Sequence, residues 1–72
     1  MNTIQDRETG EAIGAVGLFM NNIGEEYWLA TLATGQRRRF YFADVGVGSG
    51  AGATCEFAAV AWIMDQAEAA QQ

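Results

Sequence analysis

The chain has 72 residues, half of them apolar, which reads as one domain over residues 1–72, near the lower size limit for a lone hydrophobic core. Its formal charge of −5 and its lack of lysine and histidine exclude a zinc site and a Cys–His nucleophile and disfavour direct nucleic-acid binding. A single cysteine, Cys55, leaves no internal disulfide.

An acidic surface of this kind fits a protein partner with a basic surface, or serves solubility alone. The thin core adds a prior for a homodimer. No apolar run approaches the length of a membrane span and no signal-peptide pattern opens the chain, so a cytoplasmic location is expected. The abundance of alanine and glycine, with arginine as the only basic residue, suggests a GC-rich bacterial or phage genome and hence a bacterial or phage-infected host cell.

In chain order, Thr3–Arg7 reads as a short first strand that turns at Glu8–Glu11, where Gly10 supplies a left-handed conformation. Ile13–Met20 is a strand with both alternating sets apolar, which makes it central or covered on both faces. Its Gly14 and Gly17 leave bare backbone that a large group can approach. Asn21–Gly24 is a turn by its chemistry.

Two further strands, Glu26–Ala33 and Arg37–Ala43, are joined at Thr34-Gly35-Gln36 and make the strongest hairpin signal in the chain. A two-residue loop at either Thr34-Gly35 or Gly35-Gln36 puts Tyr27, Leu29, Thr31, Phe40 and Phe42 on one face, expected to be core. Trp28, Ala30, Leu32, Arg37, Arg39 and Tyr41 then share the other, with arginine placed to stack on Trp28 or Tyr41. A three-residue loop breaks this parity. Arginines beside rings also suit a nucleic-acid platform, but the net charge opposes it, and the run with Arg37 and Arg39 is read as a solvated edge or as an anchor for an acidic patch on a second subunit.

Gly46-Val-Gly48-Ser-Gly50-Ala51 matches a dinucleotide-binding glycine pattern after a strand and before a helix. No second parallel strand follows it in these residues, and the phosphate-loop lysine is missing. No cofactor is therefore expected. The stretch reads as a linker or as a loop that closes onto a partner. Ser49 and Thr54 are the candidate helix caps.

The last third is helical to about Ala70. Phe57, Val60, Ala61, Met64 and Ala67 recur at helical spacing and are expected to pack on the sheet. Cys55, Ala58, Ala59, Trp62 and Ala69 form a second apolar face, small residues around one ring, expected to bind a partner. Cys55 in the first helical turn is read as a small buried residue rather than a nucleophile. Glu25 and Glu26 point to opposite sides of a strand, a poor acid–base pair, and so no catalytic or metal residue is assigned.

These features imply an α+β fold: an antiparallel meander of three to four strands with one C-terminal helix on one face. The partner-binding residues expected are Trp62, Cys55, Ala58, Ala59, Glu25, Glu26, Arg37, Arg39, Tyr41 and Trp28. In size, charge and layout the chain resembles phage-encoded inhibitors of host defence such as anti-CRISPR proteins, a resemblance that carries over no residue. It implies a non-enzymatic inhibitor that occupies a basic, nucleic-acid-handling surface. The alternatives are a homodimeric ligand-binding or regulatory module using the glycine-rich loop, and a structural subunit assembling through an exposed sheet edge and the Trp62 face.

Overall fold

A computed structural model describes residues 2–45 and 51–70. Four strands, β1 (Asn2–Gln5), β2 (Ala12–Met20), β3 (Glu26–Leu32) and β4 (Arg37–Tyr41), form one antiparallel sheet in the order β1-β2-β3-β4. A 3-10 turn over Phe42–Val45 follows, and helix α1 (Ala51–Ala70) lies across the sheet, giving an α+β meander. The glycine-rich pattern from Gly46 to Gly50, with the Ser49 cap, lies outside the described residues. Thr54 sits inside the helix, past Ala51, and so is not its cap.

Local turn chemistry accounts for the strand boundaries. The Asp6 carboxylate accepts the backbone N–H groups of Glu8 at 2.7 Å and Thr9 at 3.0 Å, and Gly10 at φ 74° returns the chain into β2. Asn21 does similar work before β3: its Oδ1 accepts from Ile23 and Glu25, and its Nδ2 donates to Glu25 Oε1 at 3.0 Å. The loop at Asn22-Ile23-Gly24 and the one at Ala33-Thr34-Gly35 have the same form. In each, the glycine takes a positive φ (86° and 99°) and its N–H bonds the carbonyl three residues back.

The second loop corrects the expected sheet faces. Leu32 N–H bonds the Gln36 carbonyl at 2.8 Å, so the loop that this pair closes has three residues rather than two. The register pairs Tyr27 with Tyr41, Trp28 with Phe40 and Leu29 with Arg39, so odd residues meet odd residues. Trp28, Ala30, Leu32 and Phe40 therefore share a face with Val16 of β2, and Tyr27, Leu29, Thr31, Arg37, Arg39 and Tyr41 share the opposite one. Phe42 is in the 3-10 turn, on neither face.

The helix is also turned relative to expectation. The core is Val16, Ala30 and Leu32 of the sheet with Ala59 and Ile63 of α1, flanked by half-buried Ile4, Ile13, Trp28, Phe40, Val60 and Trp62. Cys55, Ala59 and Ile63, one turn apart in succession, have no exposed surface, whereas Phe57 is 78% exposed. The stripe expected to face outward is thus the one that packs inward. Small residues decide this. Ala30 and Ala59 let helix and sheet approach closely, and a Cβ on Gly14 would stand 2.6 Å from the Thr31 carbonyl and 2.9 Å from Ile63 Cγ2. The large group over the bare backbone of Gly14 is thus Ile63. Trp62 packs edge-on to Phe40, ring centroids 6.3 Å apart. The buried Trp28 indole nitrogen has no hydrogen-bond partner among the described residues.

Candidate functional site

The helix covers one face of the sheet, and no described element covers the other. That open face is built from alternate residues of three strands: Phe19 on β2, Tyr27 and Leu29 on β3, Arg37, Arg39 and Tyr41 on β4. Phe19, Tyr27 and Tyr41 lie in one row across the strands, with ring centroids 6.1 Å apart for the first pair and 5.1 Å for the second. Arg39 is held over this row. Its guanidinium carbon is 5.0 Å from the Tyr27 centroid, and its Nη1 donates to the Tyr41 hydroxyl at 3.2 Å. That hydrogen bond, with the fields of Tyr27 and Tyr41, raises the Arg39 pKa further above its already high value, so the group is a fixed cation.

Charge is segregated about this face. No carboxylate side chain occurs among its residues, while Glu8 and Glu11 stand exposed at the β1–β2 turn and Glu25 and Glu26 at the opposite end of β2. A shallow depression beside the rings is lined by Thr3, Ala15, Phe19, Leu29, Thr31 and Arg37. The arrangement is an apolar and aromatic centre with two arginines, bounded at its ends by acidic turns. Chemically, rings and guanidinium groups on such a face offer contact area and directed hydrogen bonding. Among the described residues no three His, Cys, Asp or Glu side chains converge where a metal ion could sit. Among the described residues no helix is long and apolar enough to cross a membrane.

No protein-family model, curated protein or solved structure matches this chain.

The expected partner residues are thus divided between two sides of the molecule. Arg37, Arg39 and Tyr41 come together on the open face. Trp28, Cys55, Ala59 and Trp62 belong to the helix–sheet packing, and Ala58 is half-buried on the helix. No arginine stacks on Trp28: Arg38 is the one on its side, 5.1 Å from the Phe40 centroid. Phe19, Tyr27 and Leu29 enter the site unforeseen, because Tyr27 and Leu29 were expected on the helix side; Tyr27 is buried as expected, but among Phe19, Tyr41 and Arg39 on the open face. Glycine at the third position of each loop is the signal that points to them, since it marks a three-residue connection and sets the parity.

Cys55 is structural. Its Sγ donates to the Tyr41 carbonyl at 3.3 Å, and burial, reinforced by the charge of Asp44, raises its pKa above the usual 9.0. A raised folded pKa means the unfolded chain loses this proton first as pH climbs. The associated stability is therefore complete below about pH 9 and declines as pH rises through the folded value. In urea titrations from pH 7 to 10.5, the wild type is expected to lose more stability than Cys55→Ala. Parallel curves would remove the thiol from the pH dependence.

Proposed function

We propose that this chain is a non-enzymatic protein-binding module that contacts its partner through the open face of the sheet. The observation that carries this reading is the row Phe19, Tyr27 and Tyr41 with Arg39 laid over it, on a face left uncovered by every described element. Aromatic side chains and arginine are the residues most enriched at energetic centres of interfaces, and here they are already ordered before binding. In its finer form the partner carries basic groups that meet the acidic turns at Glu8, Glu11, Glu25 and Glu26. The resemblance in size, charge and layout to anti-CRISPR proteins extends this to an inhibitor that masks a nucleic-acid-handling surface on a host protein.

Affinity capture from a bacterial lysate, with the partner then purified, supplies the test. Arg37 and Arg39 are exposed, so Arg37→Glu/Arg39→Glu should keep the fold and weaken binding to the purified partner by about 30-fold or more, roughly 2 kcal/mol. Glu25→Lys/Glu26→Lys should instead slow association, more so at low salt. Unchanged binding in the arginine variant would sink the assignment to the open face. Tight binding of a single-stranded oligonucleotide, lost in the same variant, would replace the protein partner with a nucleic acid.

A further inference from the structure

The exposed large hydrophobic side chains are not scattered. Leu18, Phe19, Met20 and Ile23 follow one another in the second half of β2 and its turn, and the fifth is Phe57. The same half of β2 has an open backbone edge. Among the described residues β1 pairs with β2 as far as Asn2 opposite Val16, and no described strand lies beside Leu18–Met20.

The ladder fixes which groups face that edge. Asn21 and Glu25, and Ile13 and Ala33, are bonded across β2 and β3, so the odd residues of β2 bond inward. The even ones bond outward: Gly14 and Val16 face β1, and Leu18 and Met20 present their N–H and C=O groups to the open edge. Phe57 belongs to the same region. Cys55 bonds Tyr41, in the same row as Tyr27 and Phe19, which puts the first turns of α1 at this end of the sheet. Met64, on the same helical stripe as Phe57, lines a cleft with Gln5, Asp6 and Ile13 and so marks the β1 side of the helix.

We propose that this edge is a homodimer interface in which β2 of one copy pairs antiparallel with β2 of a second copy about a two-fold axis at Phe19. Leu18 of one copy then lies opposite Met20 of the other, and the two outward-facing residues exchange backbone hydrogen bonds in both directions. Two four-stranded sheets become one of eight strands. The pairing lays Phe19 against Phe19 on the open face and Leu18 against Met20 on the helix side, where each Phe57 overhangs the seam.

Charge favours a second copy over a foreign basic partner. Ala12–Gly24 is the longest stretch of the chain with no charged residue, in a molecule of net charge −5. Two such molecules repel except where neither carries charge, whereas a basic partner would be met by carboxylates. The outer strand β4 shows the contrast. It carries Arg37, Arg38 and Arg39, charges that block edge-to-edge pairing, and the β2 edge has no such guard. A chain this small also gains most from burial between subunits. This inference does not depend on the proposed function, and the dimer would double the recognition face.

Light scattering across a dilution series is the first test. The wild type should show twice the 7.7 kDa chain mass at high concentration. Leu18→Lys/Met20→Lys, both at exposed positions, should show one chain mass at the same concentration with an unchanged circular-dichroism spectrum. The register is tested in a Cys55→Ala background by Phe19→Cys. Residues opposite one another on the axis form a non-hydrogen-bonded pair about 4.5 Å apart at Cα, within disulfide range, so mild oxidation should give a covalent dimer. Thr31→Cys, on the same face but away from the axis, should give none. A wild type monomeric at every concentration overturns the proposal and leaves the edge to a strand from another protein. A dimer that survives the two lysines, or that never cross-links through position 19, overturns it as well.

Discussion

Replacing Ile63 with alanine is expected to remove about 2–5 kcal/mol of stability, a large share of what a domain of this size has. Ile63 has no exposed surface and closes the core against Val16, Ala30, Leu32 and Ala59, while its branch lies over Gly14. Little can move in to fill the space, because Ala30 and Ala59 are too short to reach and Gly14 has no side chain. Phe57→Ala removes a larger group from the same helix, yet should cost the monomer less than about 0.5 kcal/mol, since the ring is 78% exposed. Urea denaturation at a concentration that keeps both variants monomeric measures the pair directly. Equal losses would mean that the helix sits with its other stripe inward.

Gly14→Ala is expected to cost about 1–3 kcal/mol through overpacking. The backbone there has no positive φ, so alanine is conformationally acceptable and the cost is spatial. The added carbon would meet the Thr31 carbonyl at 2.6 Å, a backbone atom of the paired strand that cannot turn aside, and Ile63 Cγ2 at 2.9 Å. The two obstacles separate in a double-mutant cycle. In an Ile63→Ala background the side-chain obstacle is gone, so Gly14→Ala should cost less than in the wild type, with a coupling of about 0.5–3 kcal/mol. The remainder belongs to the Thr31 carbonyl. Strict additivity would show that Ile63 does not pack on Gly14.

Both variants probe the same contact, and that contact is where sequence and structure part. The order of elements was legible because it is set locally. Asp6 and Asn21 cap their own turns, glycines at 10, 24 and 35 take positive φ, and α1 reaches Ala70 as its periodicity implies. The arginines and Tyr41 were legible as surface groups for the same reason, being polar residues on a strand. The company they keep was not. Adding one residue to the loop after Leu32 turns Tyr27 and Leu29 from the helix side of the sheet to its open face and Trp28 the other way, since strand side chains alternate.

The sequence by itself therefore determined a meander of three to four strands, its turns and a final helix, all consequences of local backbone preference. Tertiary structure alone decided which sides meet. β2 is apolar on both faces and α1 on more than one, so hydrophobicity could not choose between them. Fit chose instead: the smallest residues, Gly14, Ala30 and Ala59, permit the closest approach of helix to sheet, and the largest exposed rings are left outside it.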